Sequence, residues 1–299
     1  MQFFYPDVPV LALPAGHRFP AAKYDALRAI IVGERILGQA ALLPTQPVAR
    51  DMLLRAHSAD YVDGMLAGSV PPEVMRRIGL PWSETLVQRS RATVAGALSS
   101  GRAALADGVS GQLAGGTHHA HFDFGSGFCV FNDLAVATLT LLAEGVVQRI
   151  AIVDTDVHQG DGNAAILCGD ARVFVLSVQG AKNFPFVRVP SSLDVNLPDE
   201  TEDAAYLTAL ESALDAVIAF RPQLVFYLSG ADPLAEDRLG RLALTHAGLM
   251  ARDRLVLGTC KRLGVPVAIA IGGGYAEPIS ASVRAYANTF RVAAEVWGF

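Results

Sequence analysis

The chain has 299 residues, 52% of them hydrophobic and only 18% charged, against about 25% charged in an average globular domain. That balance excludes a disordered or low-complexity chain and demands a large buried core. The formal charge is −5, with three Lys and 21 Arg, and no basic stripe is present, so no direct nucleic-acid partner is expected.

The N-terminal MQFFYPDVPV contains Asp7 and no basic region, and does not read as a signal peptide. Val8–Leu13 is predicted as the first strand, followed by a helix over Ala21–Leu37 and a second over Glu84–Ala106. A helix over Asn132–Glu144 comes next. The apolar stretch around it, Leu134–Val147, is interrupted by Glu144 and is too short to cross a bilayer, so no membrane span is expected. Strands Ile150–Asp154 and Val173–Val178, a helix Glu202–Phe220, a strand Leu224–Ser229, a helix Thr245–Leu263 and a strand Val265–Ile271 complete the series. Buried-type strands alternating with amphipathic helices indicate an α/β class protein with a doubly wound, mainly parallel sheet. No repeat or Ser/Gly linker divides the chain, and residues 1–299 are expected to form a single domain. Cys129, Cys168 and Cys260 lie far apart with no CxxC pair, which fits a reducing compartment, the cytoplasm by default.

Polar and special residues gather just past the predicted strands, at the edge where open parallel sheets bind ligands. The segment GGTHHAHFDFGSGFCVFND contains His118, His119 and His121. An isolated buried histidine is usually a hydrogen-bonded core residue, but an adjacent pair behind Gly115-Gly116 is harder to explain by packing. IVDTDVHQGDGN leaves a strand with Asp154, Asp156, His158 and Asp161. Alternate side chains of an extended segment point the same way, so Asp156 and His158 can converge. Asp232, in YLSGADPLAEDRLG, can complete a two-carboxylate, one-histidine set that leaves coordination positions open, as a catalytic metal requires. Singly, Asp154, Asp156 or Asp161 would be read first as a cap or turn residue; three acids with a histidine inside eight residues favour a site.

These segments, together with GGGY at 272–275, resemble in order the signatures of the zinc-dependent histone deacetylase family within the arginase/deacetylase superfamily. Weaker echoes lie at His17-Arg18-Phe19-Pro20, Lys23-Tyr24 and His57–Tyr61, and Gln159 with PLAEDRLGRLALTHAGL is most similar to the class IV branch and its bacterial relatives. The resemblance implies a three-layer α/β/α fold with about eight strands and one zinc ion per chain, iron(II) being an alternative, held by Asp156, His158 and Asp232. It implies that His118 and His119 form the acid/base pair, with Asp154 and Asp161 behind them respectively, and that Tyr275 donates to the substrate carbonyl. Between the two histidines, His119 is the expected base. Gly127, Phe128 and Gly273 are expected to contact substrate, the first two in an acyl-chain tunnel. A structural K+ or Na+ is implied near Asp154, Asp156, His158 and Ser177.

The implied reaction is removal of acetyl or longer acyl groups from lysine in proteins. Small N-acetylated amines such as acetylpolyamines are the alternative, an inactive acyl-lysine-binding scaffold is a third reading, and self-association is left open. A two-manganese ureohydrolase is disfavoured, because Asp156-Val-His158-Gln-Gly-Asp161 is one residue too long for its Asp-x-His-x-Asp run, and Gly230 stands where its later carboxylate pair begins. The segment 79–84 lacks the Asp with which many peptide deacetylases grip the substrate backbone.

Overall fold

The structure, a computed structural model, describes all of residues 1–299. In chain order the elements are β1 (Gln2–Pro6), α1 (Lys23–Gly33), β2 (Ala41–Thr45), α2 (Arg50–Leu53), α3 (Ala59–Ala67), α4 (Pro72–Ile78), α5 (Glu84–Asp107), β3 (Val109–Gln112) and α6 (Asp133–Ala143). They continue as β4 (Ile150–Asp154), α7 (Asp161–Leu167), β5 (Val173–Gly180), β6 (Leu193–Leu197), α8 (Asp203–Phe220), β7 (Leu224–Ser229), α9 (His246–Leu263), β8 (Val267–Ile271) and α10 (Ser280–Trp297). All eight strands join one sheet in the order β2-β1-β3-β8-β7-β4-β5-β6, and every pairing is parallel.

The central strands are buried on both faces, which is why they read as continuous apolar runs rather than alternating ones. Ile150 and Ile152 of β4 join Phe226 of β7 and Ala268 of β8 in a core completed by α5 and α6. Ala151 and Val153 point the other way, into a core with Tyr227, Ile269 and residues of α1, α8, α9 and α10. The two-residue period of the strands thus sorts one sequence into two layers, giving the expected three-layer α/β/α arrangement.

The five predicted helices and the strands β4, β5, β7 and β8 fall where expected, within a few residues at their ends. The strand over Val8–Leu13 does not form. Pro9 has no N–H to give a ladder, and Pro9, Val10 and Ala12 are exposed, so the segment gains little from a sheet. The first strand lies earlier, where Phe3 and Phe4 are buried and pair with Gly111 and Gln112 of β3.

Candidate active site

The loops carrying the predicted site follow β3, β4, β7 and β8, four strands that are neighbours in the sheet order β3-β8-β7-β4. Because all are parallel, their C-terminal ends open on one edge, and residues more than a hundred positions apart meet there.

At the centre, donor atoms of Asp156, His158 and Asp232 all lie within 4.8 Å of one another, and all three residues are buried. His158 Nδ1 lies 2.9 Å from Asp156 Oδ1 and 3.1 Å from Asp232 Oδ2. Backbone N–H groups hold the carboxylates in place: Gly273 donates to Asp156 Oδ2 at 2.5 Å and Val157 to Asp232 Oδ1 at 2.9 Å. Gly273 is required here, because a Cβ would lie 2.0 Å from Asp232 Oδ2. Burial and the charge of Asp156 raise Asp232 to about 7. Burial opposes a charged His158, yet its bonds to Asp156 and Asp232 outweigh that and lift it to about 10. Two dry carboxylates demand positive charge, and a proton on His158 supplies only part of it. Donors about 3.3 Å apart suit a tetrahedral ion with bonds of ~2.0–2.1 Å, a few tenths of an ångström wider than the observed spacing. Two carboxylates and an imidazole, with free positions facing a cavity, therefore fit a divalent cation of catalytic type.

Beside this cluster His118 Nδ1 lies 2.7 Å from Asp154 Oδ2, and His119 Nδ1 lies 2.6 Å from Asp161 Oδ1. Asp161 also meets His121 Nε2 at 3.1 Å, so the third histidine of the motif serves the second pair. Burial disfavours the His118 cation, but the charges of Asp154 and Asp156 prevail and raise it to about 9. Burial and the neighbouring His118 charge push His119 down to about 4 despite Asp161. Since a carboxylate only accepts, each Nδ1 carries its proton; neutral His119 is then left with an unprotonated Nε2. A divalent cation nearby would lower both histidines, leaving their order intact.

The site opens into a cavity of about 920 Å3 lined by His118, His119, Gly127, Phe128 and Tyr275, among others. Gly127 and Phe128 both have positive φ, 52° and 66°. A Cβ on Gly127 would come within 2.6 Å of His119, so that turn needs glycine. Phe128 adopts a backbone rarely seen in aromatic residues, and its ring sits 5.9 Å from that of Tyr275. The Tyr275 hydroxyl has no hydrogen-bond partner in the chain, and burial raises its pKa well above the usual tyrosine range. Behind it Lys23, fully buried and lowered by that burial to about 8, donates from Nζ to Gly274 O and Tyr286 Oη at 3.2 and 3.0 Å.

Three residues given no role in the sequence hold the loops. Asp133 accepts from the Gly116 and Thr117 N–H groups, fixing the turn before His118. Asp237 accepts from the N–H groups of Tyr275, Leu239 and Gly240. Arg252, buried on α9 and kept charged by Asp253 despite burial, donates to Gly230 O at 2.6 Å and approaches Thr155 O at 3.4 Å, bracing both loops that carry the cluster. Asp133 and Asp237 lie within the motif segments, where their acidity was the available signal, whereas Arg252 lies outside them, and only its charge beside Asp253 among the apolar residues of α9 could have pointed to it. His57 bonds His121 O and the Asn132 N–H, a structural role away from the cluster. Ser177 Oγ, paired across the sheet with Asp154, is buried without a partner.

The histone deacetylase domain family matches residues 17–290. The chain belongs to the histone deacetylase family. It is accordingly a hydrolase of the deacetylase type, and no helix in it is long and apolar enough to cross a membrane. This family member is 42% identical to an uncharacterized protein of Picosynechococcus over 98% of both chains. It is 26% identical to histone deacetylase 2 of Arabidopsis thaliana over 95% of this chain and 75% of the other. It is 27% identical to the acetoin utilization protein AcuC of Staphylococcus aureus over 77% of this chain and 64% of the other. The crystal structure of the HDA15 HD domain shares the fold, with a TM-score of 0.79 at 20% identity over 99% of this chain and 88% of that one.

Proposed function

We propose that the chain removes acyl groups from the ε-amine of lysine, as one catalytic unit carrying one zinc ion at Asp156, His158 and Asp232. The observation that carries this reading is a buried two-carboxylate, one-histidine cluster flanked by two histidines, each bonded through Nδ1 to a buried aspartate. Zinc bound there supplies Lewis acidity toward the amide carbonyl and makes water acidic enough to attack near neutral pH.

The chain's own groups divide the proton work. His119 Nε2, neutral and unprotonated, takes a proton from the attacking water, and Asp161 fixes the tautomer that lets it do so. His118, held cationic by Asp154, delivers a proton to the leaving amine. Tyr275, kept protonated by burial and free of internal partners, donates its hydroxyl hydrogen to the carbonyl oxygen as negative charge grows there. Gly127 and Phe128 line the acyl tunnel, and Gly273 brings its backbone against the cluster.

Gln159, which bonds Val189 O and Asp194, and the stretch 233–249 support placement in the class IV branch. The unpartnered Ser177 Oγ beside Asp154 supports a structural K+ or Na+ there. Three free cysteines support a cytoplasmic setting.

Zinc-loaded protein incubated with acetyl- and myristoyl-lysine peptides, with the released amine quantified, tests the reading. Turnover of either, lost in Tyr275→Phe, is expected. Inactivity on both would sink it, and zinc binding with equal inertness of wild type and Tyr275→Phe would favour a binding scaffold.

A further inference from the structure

The mouth of the active-site cavity has a charge opposite to that of the protein. Arg18, Arg77, Lys182, Arg238 and Arg241 line it, and the only carboxylate in the lining is Asp156, down in the metal cluster. These five cations come from four separate segments: the loop before α1, α4, the turn after β5 and the loop after β7. All five side chains are exposed. Their charge is incompletely matched. Lys182 and Arg241 share one partner, Asp199, at 3.3 and 3.2 Å, and Arg238 meets the exposed Glu277 at 3.3 Å. Arg77 lies against the Phe124 ring at 4.2 Å with no carboxylate partner, and Arg18 has no ion pair. The mouth thus carries an excess of about three positive charges on a chain whose formal charge is −5.

An acylated amine is neutral, so such a rim does nothing for the group being cleaved. It acts on whatever the amine is attached to. Positive potential focused at the opening of a cleft raises the local concentration of anions and repels cations. We infer that this site takes acylated amines carried on anionic substrates, with carboxylates placed around the mouth, and discriminates against polycationic ones. The inference rests on the deacylase reading and narrows it: acetylpolyamines, which keep free ammonium groups, are disfavoured, and lysines in acidic surroundings are preferred. Carboxylates can come from neighbouring Asp and Glu in a protein segment or from a small N-acyl amine bearing its own carboxylate.

The test compares kcat/KM for peptides with one acyl-lysine flanked by Glu, by neutral residues or by Lys, at low and high salt, using zinc-loaded wild type. The acidic peptide should exceed the basic one by about tenfold at low salt, with the ratio collapsing toward one at high salt as the rim is screened. Arg18→Glu, Arg77→Glu and their combination should lower or invert the acidic-to-basic ratio. Nα,Nε-diacetyl-lysine, which is anionic, against its uncharged carboxamide, beside the peptide series, distinguishes the two sources of the carboxylate. A ratio near one, a preference for the basic peptide, or a ratio indifferent to salt and to these variants overturns the inference. Binding of the same peptides, followed by fluorescence anisotropy, separates the two readings. Preference for the acidic peptide without turnover would count against the deacylase reading alone, whereas turnover or binding without charge preference would count against the cationic rim alone.

Discussion

His118 and His119 are adjacent in the chain, both buried, and each is bonded through Nδ1 to a buried aspartate, yet one is raised to about 9 and the other lowered to about 4. The partner residue does not explain this, since both partners are carboxylates. The difference lies in what else each ring faces. His118 also has Asp156 Oδ1 at 3.9 Å from its Nε2, so two anions favour its cation. His119 has the His118 charge on one side and the Phe184 ring, 4.9 Å away, on the other, so its cation is opposed twice. Like pairs take unlike protonation states from their surroundings, which is how one site holds both an acid and a base.

The largest expected effect tests the division of labour itself. His119→Ala should lower kcat by about 10²–10⁴, and His118→Ala should cost less, mainly on amines that leave poorly. Equal losses on good and poor leaving groups would break the distinction. A finer test exchanges the aspartates. Asp154→Asn removes the first anion that raises His118, so the alkaline limb of kcat/KM should shift to lower pH. Asp161→Asn removes only an orienting partner from an already neutral ring, so activity should fall about 10–100-fold without moving that limb.

A smaller effect is expected at Arg252. Arg252→Gln should weaken zinc affinity about 10–100-fold, because the Gly230 and Thr155 carbonyls lose their brace; unchanged affinity by competition with a chelator would remove it from that role. The smallest concerns His57, neutral through burial alone and lowered to about 4. As pH falls, the unfolded chain protonates this residue first, near 6.5, so its contribution to stability is present above 6.5 and lost down to 4. Wild type should therefore lose about 1–3 kcal/mol more than His57→Gln between pH 7 and 4.5. Parallel denaturation curves across that range would contradict it.

The central strands were legible because full burial makes them apolar throughout. β3 was not: Ser110 bonds Gln2 O, Gly111 packs against Ile269, and Gln112 bonds Asp133, so its buried residues look like loop. Edge strands β2 and β6 have too little burial to stand out. At Val8–Leu13, hydropathy outweighed the proline that forbids the ladder. The amphipathic α10, which packs on α9 and α1, carries a readable helical pattern of its own. In the site, residues in dense motifs were found, and the structure brings Asp154, Asp156, His158, Asp161, Asp232, His118, His119 and Tyr275 to one edge. Asp133 and Asp237 stand inside the dense motifs but act on backbone N–H groups, a role that their residue type does not mark, and Arg252 lies outside every motif and acts on the carbonyls of two distant loops.

The proposed deacylase works through a single catalytic metal at Asp156, His158 and Asp232. Zinc is titrated into metal-free protein while the release of lysine from an acyl-lysine peptide is followed. Activity should rise linearly and level off at one zinc per chain, with Asp232→Asn inactive throughout. A plateau at two metals per chain, or no activity at any ratio, would rule out a mononuclear catalytic site.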